Sequence, residues 1–260
     1  IEAVAPRRRA LVRRARDREA AQVIVANLDQ LVVVMAAAQP ELSLGMLDRF
    51  LVVAESQDLP TVICLNKVDL DSEGRARTAL VPYRAIGYPV VETSVVTGEG
   101  LAELWQALEG KLSALAGPSG VGKTSLVKAF RPELDLRIGA VSEATGRGRH
   151  TTTASELIQL DERTFLVDTP GIGVLHLWAI LPEELGRCYR EFRRYLGACA
   201  YRDCRHLDEP DCAVRAAVEA GEIDPGRYER YRAIYRELEE EAERYGRWEI
   251  ERLRRGRGTR

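Results

Sequence analysis

One eight-residue stretch near the middle of this 260-residue chain limits the possible folds most strongly. Residues 117–124 read Gly-Pro-Ser-Gly-Val-Gly-Lys-Thr, which is the pattern of a phosphate-binding loop. The apolar run 112–116 before it predicts a strand, and the run 125–130 after it predicts a helix. Because glycines let backbone N–H groups close around phosphate oxygens at a helix N-terminus, this context favours phosphate binding over an ordinary glycine-rich turn.

The motif gives its members separate roles. We expect Lys123 to reach the β- and γ-phosphates of a nucleotide, and the Thr124 hydroxyl to bind Mg²⁺. The remaining predicted nucleotide contacts are Gly117, Pro118, Ser119, Gly120, Val121, Gly122 and Ser125.

A second motif, on the N-terminal side of the first, predicts which base is bound. Residues 66–69 read Asn-Lys-Val-Asp and follow the continuous apolar strand predicted at 61–65. A carboxylate can accept two hydrogen bonds from guanine N1–H and its N2 amino group, and adenine offers no such pair on that edge. We therefore expect the aspartate to read guanine, the asparagine to brace the loop and the lysine stem to cover the base. A backbone N–H at 94–95 would reach guanine O6, so the predicted base contacts are Asn66, Lys67, Asp69, Ser94 and Val95.

Magnesium and γ-phosphate contacts are predicted on the C-terminal side of the phosphate loop. Residues 168–171 read Asp-Thr-Pro-Gly after a predicted strand at 164–167. We expect Asp168 to lie near Mg²⁺ and the Gly171 N–H to lie near the γ-phosphate. In the polar, glycine-rich stretch 141–153, Thr152 is the predicted magnesium ligand when GTP is bound.

The group that orients the attacking water is less evident. Ile172 follows Gly171, where Ras-like enzymes carry a glutamine, and isoleucine cannot orient water by hydrogen bonding. His150 is the nearest candidate for this catalytic role because its imidazole titrates near neutral pH. A structural or RNA-contacting role for His150 stays open.

Three cysteines and a histidine predict a metal centre near the C-terminal end. The spacing Cys199-x4-Cys204-x-His206-x5-Cys212 supplies a complete tetrahedral zinc shell, and a closed shell of four ligands is typical of structural zinc. A chance cluster of buried cysteines is the alternative. Thiols used in this way, instead of in a disulfide framework, indicate a reducing cytoplasm.

The order of predicted elements divides the chain. Strands and helices alternate through the central region, which predicts a three-layer α/β domain with a mostly parallel sheet at 21–181. The sheet pattern stops near residue 182, and a small helical zinc-binding domain with a long C-terminal helix is expected at 182–260. An apolar stripe on that helix, from Tyr228 to Tyr245, is expected to pack on its own domain, although a partner-binding coil stays open. Residues 1–20 read as a basic arm or the tail of an upstream domain.

Charge and hydropathy restrict the partners. The net charge is −2, yet arginines cluster at 7–18, 187–205 and 252–260. A GC-rich or thermophilic source would explain that bias without any function, but local basic patches also permit binding to RNA phosphate. No apolar run approaches the ~18 residues of a membrane span, so no membrane association is expected.

The order of the motifs is circularly permuted, because ordinary GTPases begin with the phosphate loop and end with the guanine reader. The chain resembles the RsgA (YjeQ) family over about residues 21–225. The resemblance rests on the permuted order, the Gly-Arg-His-Thr-Thr-Thr stretch at 148–153, the Asp-Thr-Pro-Gly motif with its following apolar residue, and the cysteine module. The resemblance implies a cytoplasmic, monomeric GTPase of small ribosomal subunit biogenesis, with an N-terminal OB-fold of which residues 1–20 would be the tail. It also implies binding to the 30S subunit and 16S rRNA, GTPase stimulation by that subunit, and release controlled by GTP and GDP.

Two other functions stay open on the residues. Ile172 favours a GTP-binding RNA scaffold with negligible hydrolysis. A metabolic kinase would also use a phosphate loop, but the chain lacks an evident phosphoacceptor site and Asp69 favours guanine over adenine.

Overall fold

The computed structural model describes residues 9–14, 21–134, 156–168, 177 and 180–246. These residues group into two compact units. The first contains 9–10, 24–47, 59–134 and 156–168, and the second contains 11–14, 21–23, 48–58, 177 and 180–246. The predicted residues His150, Thr152 and Gly171 lie outside the described residues, as do Ile172 and most of the arm 1–20.

Eight strands form two sheets among the described residues. Strands β1 (Ala10–Arg14) and β2 (Ala21–Ala26) pair with each other. The six-stranded sheet contains β3 (Gln30–Ala36), β4 (Thr61–Asn66), β5 (Val90–Thr93), β6 (Leu112–Ala116), β7 (Glu156–Gln159) and β8 (Phe165–Asp168). Its order is β5-β4-β3-β6-β8-β7, and every pairing is parallel except the edge pairing of β7 with β8. The predicted mostly parallel sheet is therefore confirmed.

The burial of the central strands of this sheet follows from their amino-acid composition. Strands β3 and β4 are nearly continuous apolar runs and are buried along their whole length. A parallel strand covered on both faces needs apolar side chains at every position, and not only at alternate ones. On one face, the strands pack against side chains from the helices at 101–108 and 123–130, which are Leu104, Leu108, Leu126 and Val127.

The helices of the chain up to residue 130 connect these strands. They are α1 (Leu44–Glu55), α2 (Arg75–Ala79), α3 (Val81–Ala85), α4 (Leu101–Leu108) and α5 (Lys123–Phe130). The run 75–86 does not form a single helix, because it divides at Leu80 into α2 and α3. Pro82 explains the division, since its ring lacks an N–H and fits only the first turn of a helix, where α3 begins.

The second unit contains helices but no strand within 180–246. Two 3-10 segments, Pro182–Cys188 and Arg190–Phe192, precede α6 (Ala213–Glu219) and α7 (Pro225–Tyr245). The apolar stripe of α7 is buried through Tyr228, Tyr231, Tyr235, Leu238 and Ala242. The stripe therefore packs within its own unit, as expected. Among the helices in the described ranges, none combines the length and apolar character that crossing a bilayer requires.

A buried ion cluster fastens α1 and α7 together inside the second unit. Arg227 Nη1 donates to Asp48 Oδ1 at 2.5 Å, and its Nε donates to Glu191 Oε1 at 2.7 Å. All three side chains are almost fully buried. Arg230 adds a second donor to Asp48, at 2.5 Å from Oδ2, and the Arg227 guanidinium lies over the Tyr189 ring. Removing one partner from a buried cluster of this kind leaves an uncompensated charge, which typically costs about 3–5 kcal/mol.

Candidate nucleotide site and metal centre

The phosphate loop lies between the end of β6 and the start of α5. Gly117 has φ of 144°, and a Cβ there would collide with the carbonyl oxygen of Val34 in the neighbouring strand β3. Lys123 is the first residue of α5, and its Nζ donates to the carbonyl oxygens of Gly117 and Pro118 at 2.8 Å each. The ammonium group is thus held across the loop, beside the backbone N–H groups at the start of the helix.

The two halves of the predicted site meet at Asn66, the last residue of β4. Its Nδ2 donates to the carbonyl oxygen of Val121 in the phosphate loop at 2.9 Å. Its Oδ1 accepts from Thr93 Oγ1 at 3.1 Å, at the end of the adjacent strand β5. Asn66 is only 2% exposed, so both hydrogen bonds are buried. One amide group therefore links two stretches of the chain that lie 55 positions apart.

The residues after Asn66 shape the base side of the site. Lys67 adopts a left-handed backbone conformation with φ of 62°, and its Nζ donates to the carbonyl oxygen of Gln39 in the loop after β3. A short 3-10 turn over Val68–Leu70 follows and leaves Asp69 exposed. Among the described residues Asp69 has no ion pair or hydrogen bond, so both carboxylate oxygens can accept from a base.

The loop after β5 presents a backbone donor on the same side of the sheet. Ser94 Oγ accepts from the N–H groups of Val96 and Thr97 at 3.2 and 3.1 Å. The Ser94 N–H donates to the carbonyl oxygen of Glu99 at 3.0 Å. Within the described part of the chain the Val95 N–H meets no acceptor, which fits the expected contact with guanine O6.

The magnesium side is described in part. Thr124 is half-buried in the first turn of α5, and Asp168 ends β8 in register with Leu115 of β6, the strand that leads into the phosphate loop. These positions fit the expected ligands, because hydroxyl and carboxylate oxygens are what Mg²⁺ prefers. Bound Mg²⁺ would neutralise charge on the β- and γ-phosphates.

The predicted metal ligands come together in the second unit. One ligand atom each from Cys199, Cys204, His206 and Cys212 lies within 4.8 Å of the others. His206 Nδ1 is 3.5 Å from the sulfurs of Cys199 and Cys212, and those two sulfurs are 3.9 Å apart. Tetrahedral zinc, with bonds of about 2.3 Å to sulfur and about 2.05 Å to nitrogen, places its ligands about 3.6–3.8 Å apart. The donor set and its spacing therefore fit a zinc ion.

The charge state of these ligands depends on burial. Burial raises the pKa of Cys204 to about 12 and also raises the pKa of Cys212, while it lowers the pKa of His206. Burial thus favours neutral thiols and a neutral imidazole, and a divalent cation reverses the preference of the thiols because it binds thiolate. Cys188, which stands outside the predicted cluster, is buried with a pKa raised to about 12, chiefly by burial.

The backbone around the histidine ligand is anchored to α7. Tyr228 Oη donates to the carbonyl oxygens of His206 and Leu207 at 2.9 and 3.0 Å, and Tyr231 Oη donates to that of Arg205 at 2.7 Å. These bonds hold His206 in a left-handed conformation with φ of 61°. The candidate ligand His206 is therefore positioned by two of the tyrosines that form the buried stripe of the helix.

Comparison with known proteins decides the family. A sequence profile described as RsgA GTPase matches residues 4–178. The chain belongs to the RsgA GTPase family. It is 50% identical over 217 residues to the Small ribosomal subunit biogenesis GTPase RsgA of Gemmatimonas aurantiaca, covering 84% of this chain and 71% of that protein. The RsgA-type relative of Caldanaerobacter subterraneus is 44% identical over 220 residues, covering 85% of this chain and 74% of the relative.

Solved structures agree with this assignment. The crystal structure of YjeQ from Thermotoga maritima matches with a TM-score of 0.76 and 40% identity over 91% of this chain and 77% of that one. The structure of YloQ, described as a circularly permuted GTPase, matches with a TM-score of 0.73 and 34% identity over 92% and 75%. The predicted circularly permuted GTPase fold is thus confirmed, and the chain is a GTP-hydrolysing enzyme of the RsgA family.

Sequence reasoning missed two contributors to the nucleotide site. Thr93 braces Asn66, and the loop after β3 approaches from the other side through the Gln39 carbonyl. A signal for Thr93 exists, because it ends a strand directly before the predicted loop at 94–95 and pairs in register with Asn66. Gln39 acts through its backbone, so its residue type carries no such signal.

Proposed function

We propose that this RsgA-family GTPase acts in the late maturation of the 30S ribosomal subunit, which it binds through 16S rRNA. The proposal is supported by the names of its relatives, which are small ribosomal subunit biogenesis GTPases. It is also supported by free thiols at all five cysteines, which suit a reducing cytoplasm, where the subunit is assembled. We propose that the chain acts there as a monomer.

The observation that carries the nucleotide assignment is the buried bond from Asn66 Nδ2 to the Val121 carbonyl. This bond joins the base-reading motif to the phosphate loop. Asp69 and the Val95 N–H would bind the guanine edge, and Lys123 with the loop N–H groups would bind the phosphates of GTP or GDP. Since each motif grips one end of the nucleotide, displacement of either should weaken binding of the whole molecule.

Metal assignments follow from the donor types. Thr124, Thr152 and Asp168 are proposed to hold Mg²⁺ with GTP, and the Cys199, Cys204, His206 and Cys212 cluster is proposed to hold one structural zinc. With little apolar core of its own, the loop between residues 199 and 212 would depend on that ion for its fold.

For hydrolysis we propose that His150 orients the attacking water, while Gly171 binds the γ-phosphate. Isoleucine at 172 supplies no hydrogen bond, which favours a slow intrinsic rate that the ribosomal subunit raises. The same isoleucine favours the second candidate function, a GTP-dependent RNA scaffold with negligible turnover. We also propose domain boundaries of 1–20, 21–181 and 182–260, so that the segment after Gly171 leads directly into the zinc-binding domain and transmits the nucleotide state to it.

The decisive experiment is single-turnover GTP hydrolysis titrated with purified 30S subunits. We expect a saturable stimulation by 30S and none by 50S subunits, and stimulation should be lost in the His150→Ala variant. The matched control is His176→Ala, at the other histidine outside the cysteine cluster, and it should keep the stimulation. Equal rates with and without 30S would reject the subunit-stimulated enzyme and favour the scaffold.

A further inference from the structure

The arginine cluster at 187–205 divides into two groups once its partners are known. Arg190 and Arg193 both pair with Glu55, Arg194 pairs with Glu222, and Arg205 pairs with Glu209. Arg187 and Arg202 are exposed and form no ion pair with any described residue. Most arginines of this basic stretch are therefore neutralised by glutamates of the same unit, and two guanidinium groups remain available to a ligand.

Those two arginines line the same cleft, of about 480 Å³, beside the metal centre. Cys199, Cys204 and His206 lie in its wall, and the carboxylates of Glu183 and Asp203 also line it. Tyr201 is 51% exposed there, an unusual exposure for so large an apolar ring. Pockets of about 300–1,000 Å³ accommodate a ligand of nucleotide size.

The backbone of Tyr201 is held in place by the metal-binding loop. Cys199 and Cys204, both ligands, stand on either side of it in the chain. The Cys204 N–H donates to the Tyr201 carbonyl at 3.3 Å, and the Ala200 N–H donates to the Asp211 carbonyl at 3.2 Å. A backbone fixed in this way reduces the entropy that is lost when a ligand stacks on the ring.

We propose that this cleft binds one unstacked nucleotide of single-stranded RNA, with its base on Tyr201 and its flanking phosphates on Arg187 and Arg202. The inference rests on the proposed function, which it deepens by naming the RNA-contacting residues. Bases stack on aromatic rings whatever their identity, and guanidinium groups pair with phosphate. The exposed ring of Tyr201 favours RNA over an acidic peptide, because a peptide carboxylate offers no base to stack on it. Glu183 and Asp203 can accept hydrogen bonds from base amino groups.

The test measures binding of the full chain to a fluorescent single-stranded RNA of about ten nucleotides, a length within typical site sizes. Affinity is followed over a series of salt concentrations for Tyr201→Ala, Tyr201→Phe, Arg187→Ala and Arg202→Ala. Arg194→Ala is the matched control, since it removes the same charge from the same unit but lies outside the cleft lining. Zinc content of each variant reports whether the metal-binding loop is intact.

We expect Tyr201→Ala to weaken binding about tenfold and Tyr201→Phe to bind like the parent, because phenylalanine keeps the stacking face. Arg187→Ala and Arg202→Ala should each reduce the slope of log K against log salt by about 0.7, the value for one phosphate contact on a single strand. Arg194→Ala should leave the slope unchanged.

Each of the following results would overturn the proposal. If Tyr201→Ala binds the RNA as tightly as the parent does, the stacking contact does not exist. If Arg194→Ala loses as much affinity as the variants of the cleft arginines, the binding is general charge attraction only. If the cleft variants lose binding to 30S subunits but keep their binding to deproteinised 16S rRNA, the partner of the cleft is a ribosomal protein. Stimulation of GTP hydrolysis by 30S is measured on the same preparations. A stimulated parent chain with an unaffected Tyr201→Ala variant rejects the cleft alone, whereas a parent that neither binds RNA nor is stimulated rejects the proposed function as well.

Discussion

Two glycines of the phosphate loop provide a matched test of the link between its halves. Gly120 and Gly122 both have positive φ, 81° and 97°, so alanine at either position meets a similar backbone strain. A Cβ at Gly120 would lie 3.6 Å from Pro40 Cδ, an ordinary contact. A Cβ at Gly122 would instead collide with Asn66 Nδ2, the donor to the Val121 carbonyl.

The structure sets the size of the difference. Backbone strain should cost each variant about 1–2 kcal/mol. Gly122→Ala must also displace the Asn66 amide and leave a buried carbonyl without its donor, which adds about 1–3 kcal/mol. We therefore expect Gly122→Ala to lower the free energy of unfolding by about 2 kcal/mol more than Gly120→Ala.

Urea unfolding of the nucleotide-free protein measures this difference without interference from phosphate contacts. The cycle is completed in an Asn66→Ala background, where the colliding amide is absent. There the extra cost of Gly122→Ala should disappear, which gives a coupling energy of about 2 kcal/mol between positions 66 and 122. Affinity for GDP should fall in the same order.

Equal destabilisation by the two alanines would refute this reasoning. So would a cost of Gly122→Ala that persists in the Asn66→Ala background, because the collision would then not be the cause.

Three further experiments test the base-reading aspartate, the buried ion cluster and the metal centre. Asp69→Asn should weaken GTP about 100-fold and transfer preference to xanthosine triphosphate, because two charge-assisted hydrogen bonds to the base are lost; unchanged selectivity in a competition assay would argue against Asp69 as the base reader. Arg227→Met should lower the free energy of unfolding by about 3–5 kcal/mol, and Arg232→Met, whose partners are exposed, by less than about 1 kcal/mol in urea titrations; similar values for both would show that burial does not set the cost. Cobalt substitution should give thiolate charge-transfer absorption that Cys204→Ser diminishes and Cys188→Ala leaves intact, and chelation should unfold the 199–212 loop; loss of the band in Cys188→Ala would change the ligand set.

The motifs of the candidate site can be recognised in the sequence because each of them is local. Asn66, Lys67 and Asp69 stand within four residues, and the phosphate loop within eight, so residue type and spacing carry the information. The metal cluster spans only 199–212, and its four ligands meet as the spacing indicates. The apolar runs of β3 and β4 likewise predict strands buried on both faces.

What escaped prediction depends on contacts between distant residues. Arg227 meets Asp48 across 179 positions, and no pattern in either helix marks them as partners. The acceptor for Lys67 is a backbone carbonyl, which every residue possesses. The division between α2 and α3 is different, since Pro82 is visible in the sequence and lies in the first turn of α3.

The order of strands in the sheet affects how the chain must be made. Strands β3, β4 and β5 are neighbours and emerge one after another, but β6 pairs with β3 across 83 positions, measured from Gln30 to Ser113. At synthesis rates of about 5–20 residues per second, β3 waits roughly 4–16 seconds for that partner. During this interval the most apolar strand of the finished sheet is an open edge, able to pair with any extended segment nearby. Newly made chains of this protein should therefore need protection from aggregation until the phosphate-loop strand has left the ribosome.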